Sequence, residues 1–470
     1  MTNNLLNALC GLMLCSAMPG QAETPVREAA DSLPHRHAAC CDPDTAVAQP
    51  AHCCAPTRQK AQPAHRLQVG GYGEAVYSRN FYSDNIYRYQ NPAKYRNDPS
   101  HGRMDLPHVT LSLGYDFGRR WKFYTEIEFE HGGTGGSYEQ EYEEGGDWEQ
   151  ELERGGEVAL EQFWLEREFC REFHLRVGHI TVPVGLTNAH HEPLNFFTVD
   201  RPEGESRVLP CTWHSTGISL WGRAGAWRYE VQAVAGLNAL NFTRDTWIQS
   251  GSYSPFEFSV ANRLGFAARA DWYAAPGLRL GVSGYVGNSM HNSYPNDLSG
   301  EDENGNRKKY ADVKGRVLVG CFDFSYVGHN WRIHGSADYG HLDDAAQISQ
   351  IKKNLTSNNA PTDKSFVGEQ AYAVGLEAGY DIFSQIAPLK RREQQLYVFG
   401  RYDQSDTYIP ASGMQDYRQT LRRTLTVGLN YFPIKQIAVK AQFAQTFLHK
   451  ELNDEPSFSL GIVYQGFFVK

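Results

Sequence analysis

The feature that most constrains this chain is a series of alternating segments joined in turn by short and long connections. Tight turns such as Gly118-Arg-Arg and Cys170-Arg-Glu alternate with long stretches such as 131–156 and 183–215. Short turns at one end and long loops at the other are typical of bacterial outer-membrane β-barrels, with the termini in the periplasm. A soluble sandwich has no reason to keep this asymmetry. The sequence therefore predicts an all-β, up-and-down antiparallel transmembrane barrel with short periplasmic turns and long external loops.

About sixteen strands are expected, because that number of segments has a period of two residues. An even number is typical of bacterial barrels of this kind. The segments are Leu67–Tyr77, His108–Phe117, Trp121–Glu130, Glu157–Phe169, Phe173–Val182, Thr216–Arg223, Trp227–Leu237, Arg263–Tyr273, Leu278–Gly287, Arg316–Val327, Trp331–Leu342, Ala371–Phe383, Leu396–Asp403, Arg423–Pro433, Ala438–Leu448 and Ser457–Phe468.

Charged side chains alternate with apolar ones along these segments, which assigns their two faces. In Trp121–Glu130, Phe123 and Phe129 fall on one face and Glu126 and Glu128 on the other. A Lys or Arg facing lipid at the bilayer midplane costs about 2–4 kcal/mol, so the charges must face a wet lumen. The predicted pore-lining residues are Lys122, Glu126, Glu128, Glu161, Arg176, Arg228, Glu230, Arg269, Asp271, Arg279, Arg332, Asp338, Glu377 and Lys440.

The composition agrees with a barrel and excludes other classes. The mean hydropathy is -0.52, and no apolar window of about 18 residues occurs, which argues against transmembrane helices. Aromatic residues make up 13% of the chain, as aromatic girdles require. The net charge of -9 argues against nucleic acid as a partner. No Gly-x-Ser-x-Gly, P-loop or His-Glu-x-x-His motif is present, so an enzyme is not predicted.

The chain divides into three regions. Residues 1–22 are predicted to be a signal peptide, residues 23–66 a flexible periplasmic arm, and residues 67–470 the barrel. The arm repeats a unit of histidine, paired cysteines and proline. Its thiols and imidazoles suit Zn²⁺ or Cu(I), and disulfides formed in the periplasm are the alternative. The candidate metal ligands are His35, His37, Cys40, Cys41, His52, Cys53 and Cys54.

The connection 183–215 is the candidate for a pore constriction. Opposed carboxylates and guanidinium groups in a lumenal loop would set a transverse field that orients polar solutes. The alternative is that these charges neutralise one another on a surface loop. The predicted constriction residues are Asp200, Arg201, Glu203, Glu205 and Arg207.

A second motif in the same loop is His190-His191-Glu192, with His179 and His214 nearby in sequence. Imidazole and carboxylate are zinc ligands. Adjacent histidines point in different directions on an extended chain, however, and no local motif fixes their geometry. A role in packing the loop is therefore favoured over metal binding.

Several segments resemble the phosphate-selective porin O/P-like superfamily of outer-membrane porins. The resemblance implies a 16-stranded barrel, usually a homotrimer, that passes small solutes by diffusion. The founding members carry a ladder of lumenal arginines and lysines, whereas the predicted lumen here is mixed in sign, so phosphate selectivity is not carried over. The segments are Glu126–His131, Arg176–Gly185, His191–Pro193, Asp200–Glu203, Pro210–His214 and Ala235–Asn238.

Together these features predict an outer-membrane porin that admits small hydrophilic solutes or ions through a water-filled lumen narrowed by residues 183–215. Its expected partners are outer-membrane lipid, those solutes and two further copies of the chain. One alternative is a Zn or Cu uptake channel whose periplasmic arm captures the metal. The other is a non-conducting barrel that serves as an adhesin or an enzyme.

Overall fold

The computed structural model describes most of the chain after residue 65. The predicted signal peptide and arm, including all seven candidate metal ligands of the arm, lie outside the described residues. The described residues are 66–98, 101–131, 136–142, 148–154, 158–254, 258–293, 312–354 and 366–469.

Sixteen strands of the described chain form a closed antiparallel barrel. They are β1 (Leu67–Asn80), β3 (His108–Gly118), β4 (Trp121–Glu130), β7 (Val158–Cys170), β8 (Phe173–Thr181), β9 (His214–Ala224), β10 (Trp227–Ala235), β11 (Leu264–Ala275), β12 (Leu278–Asn288), β13 (Arg316–Gly328), β14 (Trp331–Leu342), β15 (Gln370–Asp381), β16 (Gln395–Ile409), β17 (Leu421–Ile434), β18 (Ile437–Phe447) and β19 (Glu455–Val469). The long loops add β2 (Gly102–Asp105), β5 (Gly136–Tyr142) and β6 (Trp148–Arg154).

The barrel closes between its first and last strands. β19 pairs with β1 from Val69↔Val469 to Asn80↔Ser457. The other edge of β1 pairs first with β3 and then with β2, while β5 and β6 form a separate two-stranded sheet. Because each of the sixteen barrel strands has two neighbours, the barrel itself has no unpaired edge, as a lipid environment requires.

The predicted fold class is confirmed, and each of the sixteen predicted segments overlaps one barrel strand. Two of them, Trp121–Glu130 and Trp331–Leu342, match their strands end for end. The described helices lie in the connections, and none has the length and apolar composition needed to cross a bilayer. The α-helices are Pro92–Tyr95, Leu186–Ala189, Glu203–Ser206, Ala345–Asn354 and Ala387–Arg391, and the 3₁₀-helices are Ile86–Tyr89, Ala239–Asn241, Gln249–Ser252, Met290–Asn292 and Ile382–Gln385.

The outer face of the barrel is apolar and carries tryptophans near the short turns. Trp121, Trp227, Trp272 and Trp331 are each 41–49% exposed and lie beside those turns. Trp227 and Trp272 stack across β10 and β11 with ring centroids 5.8 Å apart. Amphipathic rings at one depth are typical of the boundary between hydrocarbon and water, so these residues mark where that boundary meets the barrel.

Part of the barrel interior is filled by an apolar cluster built from strands β7, β8 and β10–β15, the connection 182–213 and the long loops above them. Trp247 is fully buried there, and its Nε1 donates a hydrogen bond to the carbonyl of Gly368 at 3.1 Å. A Cβ atom on Gly340 of β14 would lie 1.9 Å from the Trp247 ring, so only glycine allows this close contact. The cluster also contains Phe242, Ile248, Met290, Val317, Leu342, Ile348, Ile351 and Ala371.

The apolar outer face predicts that an arginine introduced there destabilises the protein more, the closer it lies to the middle of the bilayer. Val427, in the middle of β17, is 49% exposed on this face, whereas Ile434, 51% exposed, is at the short-turn end of the strand. We expect Val427→Arg to lower the free energy of unfolding in lipid vesicles by about 2–4 kcal/mol and Ile434→Arg by about 0–1 kcal/mol. Urea titration of both variants measures the difference, and equal losses would contradict this position of the bilayer.

Candidate functional site

The connection from β8 to β9, residues 182–213, runs inside the barrel, and we refer to it as the inner loop. Lys440 of β18 anchors it. The ammonium group is fully buried and donates hydrogen bonds to three carbonyl oxygens of the loop, those of Pro193 at 2.6 Å, Phe196 at 2.9 Å and Thr198 at 2.8 Å. The three bonds use all three N–H donors of the ammonium, so a single lumenal cation holds this part of the loop against the wall.

Backbone groups of the same segment bond to side chains of neighbouring strands. The Phe197 N–H donates to Glu377 at 3.1 Å, and the Val199 N–H donates to Gln442 at 2.7 Å. Arg332 donates to the carbonyl of Leu194 at 2.9 Å. A buried loop must find partners for its peptide groups, and here polar side chains of the barrel wall supply them.

The beginning of the inner loop is tied to a buried cluster of two arginines and two aspartates. Arg269 donates to Asp271 and to Asp323, each at 3.0 Å, and its Nη1 donates to the carbonyl of Gly185 at 2.9 Å. Arg279 contacts the same two carboxylates at 2.8 and 2.7 Å. Two cations and two anions balance inside the barrel, which limits the cost of burying charge.

Glu205, predicted for the constriction, has a different position. Its side chain is buried and accepts hydrogen bonds from the backbone N–H groups of Leu186 at 3.0 Å and Asn188 at 3.1 Å. Gly185 has φ +85°, and a Cβ there would lie 2.3 Å from the Glu205 carboxyl. Burial raises the pKa of Glu205, and the backbone donors oppose that shift. Glu205 therefore holds the two ends of the loop together.

Glu203 faces the strands on the opposite side of the barrel. Its carboxylate contacts Arg422 of β17 at 2.9 Å and lies 3.8 Å from Arg207. Burial alone would raise the pKa of Glu203, but the two guanidinium groups lower it. Arg422 also contacts Glu455 at 2.6 Å, and Glu455 contacts Arg88 at 2.8 Å. This chain of alternating charge joins the inner loop to the long-loop end of the barrel.

Arg201 and Asp200 complete the predicted constriction set. Arg201 lies 3.7 Å from Glu128 of β4. Asp200 is exposed on the surface of the inner loop. Desolvation inside the barrel raises the pKa of its carboxyl to about 6, repulsion by Glu74 of β1 adds to this shift, and the positive charge of Arg103 of β2 opposes it. Asp200, which precedes Arg201 in the loop, is therefore an accessible carboxylate of the inner loop, as is the partly exposed Glu203.

A further polar cluster lies toward the short-turn end. Glu166 is buried and accepts hydrogen bonds from Arg176 at 2.9 Å and from the indole of Trp221 at 2.9 Å, and its carboxyl lies 3.3 Å from His174. The Arg176 guanidinium lies over the Trp164 ring, 4.2 Å from its centroid. These contacts hold Arg176 near the short-turn end of the lumen.

The predicted pore-lining residues all lie on the inner side of the barrel, but only four remain partly accessible: Lys122, Arg176, Arg228 and Arg332. The other ten are buried because the inner loop and neighbouring side chains cover them: Glu126, Glu128, Glu161, Glu230, Arg269, Asp271, Arg279, Asp338, Glu377 and Lys440.

The sequence analysis missed several lumenal charges. Asp323, Arg401 and Asp403 lie within predicted strands and carry the same alternation, so counting every charged inward position would have found them. Arg401 contacts Asp403 at 2.7 Å. Arg422 and Glu455 lie just outside the predicted strand ends, where alternation no longer assigns a face.

The histidines of the second motif separate into different environments. His179 and His214 pair with each other at 2.5 Å. Burial and the nearby Arg279 and Arg269 lower the pKa of His190 to about 3, so its imidazole stays neutral. His191 is buried, and its contacts are described below.

Comparison with known proteins finds a family match over most of the barrel. The model of a family described as phosphate-selective porin O and P matches residues 79–456. An uncharacterized protein of Aquifex aeolicus (strain VF5) is 29% identical over 396 residues, which are 83% of this chain and 78% of that protein. The outer membrane channel DcaP of Acinetobacter baumannii aligns at 12% identity with a TM-score of 0.47, over 85% of this chain and 97% of that one. An anion-selective porin from Comamonas acidovorans aligns at 9% identity with the same TM-score, over 85% and 99% of the two chains.

Because Lys440 anchors the inner loop, we expect Lys440→Met to have a large effect on the stability of the barrel. The substitution removes the charge and leaves three buried carbonyls without donors, each costing about 1–3 kcal/mol. We expect the free energy of unfolding to fall by about 3 kcal/mol or more and the open-channel current noise to rise as the loop loosens. Lys435→Met is the control. The side chain of Lys435 is 69% exposed and pairs with the exposed Glu393, an interaction worth about 0–1 kcal/mol. Equal stability of the two variants in urea titrations would contradict the anchor.

Proposed function

Because this chain belongs to the phosphate-selective porin O and P family, it forms a channel for passive diffusion in the bacterial outer membrane, and we propose that its solutes cross beside the accessible face of the inner loop. Small hydrophilic solutes and ions are the proposed cargo. The observation that supports this path is the uneven filling of the lumen. The large apolar cluster lies along β7, β8 and β10–β15, and a smaller one packs Phe197 of the inner loop against β16–β18. Arg201 faces β4 instead, where charged side chains line the wall.

The proposed path is narrowed by charges of both signs. Arg201 pairs toward β4, Glu203 pairs with Arg422 of β17, and the exposed Asp200 directly precedes Arg201 in the loop. Fixed opposite charges across a narrow passage produce a transverse field, which orients dipolar solutes and sets ion preference. These residues do not form a ladder of cations, so we propose a general hydrophilic path without selectivity for phosphate.

We propose further that the channel is a homotrimer and not an enzyme, as the resemblance to porins implies. Residues 1–22 are proposed to be removed as a signal peptide. Residues 23–66 are proposed to remain as a periplasmic arm, whose Cys/His repeat binds Zn or Cu or forms disulfides. Cross-linking of the purified protein and mass spectrometry of its mature N-terminus test these assignments separately from conduction.

The path is tested through the charge of Asp200. A unit charge about 7 Å from a passing ion in water contributes about 0.6 kcal/mol, close to RT. Because the charge attracts a cation and repels an anion by this amount, we expect Asp200→Asn to shift the ratio of cation to anion permeability toward anions by up to about sevenfold, and by less as salt screens the charge. Reversal potentials in a salt gradient across planar bilayers give this ratio. The control is Asp416→Asn, which removes an exposed carboxylate in the long-loop connection between β16 and β17.

Equal reversal potentials for Asp200→Asn and the wild type would place the conducting path elsewhere. A shift of the same size for Asp416→Asn would show that the general surface potential, and not the inner loop, sets the preference. Absence of conductance steps in the wild type would overturn the proposed channel function itself.

A further inference from the structure

Three potential metal ligands meet where the inner loop touches the barrel wall. Glu126 of β4, Glu161 of β7 and His191 of the inner loop are all buried, with exposed fractions of 5%, 2% and 5%. One ligand atom from each lies within 4.8 Å of the other two. Ligand atoms that share one zinc ion at 2.0–2.2 Å lie at most about 4 Å apart, so small side-chain rotations would close the site.

The orientation of His191 is the strongest sign of a ligand. Its Nδ1 lies 3.1 Å from the carbonyl oxygen of Asn188 and must donate there, since a carbonyl only accepts. Nε2 is then an acceptor. It is buried and has no hydrogen-bond partner among the residues that the structure describes. A metal-binding histidine characteristically donates its other ring N–H to a carbonyl or carboxylate in this way.

A strand irregularity places Glu161 beside Glu126. In the pairing of β4 with β7, Ile127 lies opposite Leu160 and Glu126 opposite Gln162, so Glu161 is the extra residue of a bulge. Bulges re-aim side chains, and this one directs Glu161 into the barrel. Glu126 and Glu161 are further oriented by Gln162 at 2.5 Å and Thr212 at 2.7 Å.

The site also holds more buried carboxyl groups than cationic side chains, so a bound cation would balance them once they are ionised. A third carboxyl group, that of Glu128, is linked to Glu161 through Tyr72, whose hydroxyl lies 3.2 Å from Glu128 and 3.4 Å from Glu161. Arg201 is the cation in contact there, 3.7 Å from Glu128. Buried carboxylates are costly unless they are paired or bind metal.

We propose that Glu126, Glu161 and His191 bind one divalent transition-metal ion, of which Zn²⁺ is the representative. Two carboxylate oxygens and one imidazole nitrogen suit ions of this class. Two ligands come from the barrel wall and one from the inner loop, so the ion ties the loop to β4 and β7. The site uses none of the candidate ligands of residues 23–66.

The test measures bound metal on the full-length protein in detergent. Wild type, His191→Gln and His101→Gln are loaded with Zn²⁺, dialysed and analysed for zinc per chain. His101 is an exposed histidine of a long loop, so its variant controls for loss of an imidazole. We expect His191→Gln to bind one ion fewer than both other proteins, or to bind that ion at least tenfold more weakly. Zinc should also raise the melting temperature of wild type more than that of His191→Gln.

Cobalt(II) separates this site from the arm, because thiolate ligands give charge-transfer absorption in the near ultraviolet and a carboxylate–imidazole site gives only d–d bands. We expect His191→Gln and Glu126→Gln to lose d–d intensity and keep any thiolate band. Equal zinc content and unchanged cobalt spectra in folded variants would overturn the proposal. If neither variant folds, anomalous diffraction from zinc-soaked wild-type crystals decides: a peak between the three side chains supports the site, and no peak there refutes it.

Discussion

The placement of the inner loop depends on one buried ammonium group. Lys440 is fully inaccessible and is surrounded by the carbonyl oxygens of Pro193, Phe196 and Thr198. An unpaired ammonium at this depth would be very costly, whereas three charge-assisted hydrogen bonds compensate its desolvation. The inner loop depends equally on Lys440, because the carbonyl oxygens of the loop are buried and no longer accept hydrogen bonds from water. Each partner thus makes the burial of the other tolerable.

The same reasoning explains why the lumen has charges of both signs. Arg269 and Arg332 bond to loop carbonyls, and Glu377 accepts a loop N–H. Buried carbonyl oxygens of the loop need hydrogen-bond donors, and buried N–H groups need acceptors. A barrel wall that supports the loop must therefore present donor side chains, some of them cationic, and acceptor side chains, some of them anionic. Many charges that look like a selectivity device in the sequence are therefore structural. The charges left to act on a solute are those that the loop leaves accessible, such as Asp200 and Arg176.

The barrel could be predicted from the sequence because its determinants are local. Period-two alternation and tight turns set the sixteen strands, and Trp121–Glu130 was located to the residue. Alternation alone also predicts that the charged side chains of these strands point into the barrel. Alternation does not predict that these charges are buried. Lys440, for example, donates hydrogen bonds to carbonyl oxygens about 240 residues away in sequence. The bulge at Glu161 could not be predicted from the sequence either, because a bulge is defined by the register between two strands, here β7 and β4.

Asn188 connects the shape of the inner loop with the chemistry of His191. Its side chain is fully buried, its Nδ2 donates to the carbonyl of Val182 at 2.6 Å, and its Oδ1 accepts from the N–H of Trp213. The first and last residues of the loop are thereby joined through one amide. The backbone carbonyl of the same residue fixes the His191 ring. The residue whose side chain closes the loop thus also fixes, through its backbone carbonyl, which imidazole nitrogen of His191 is left as an acceptor. An ion held by that nitrogen would therefore stabilise the closed loop directly.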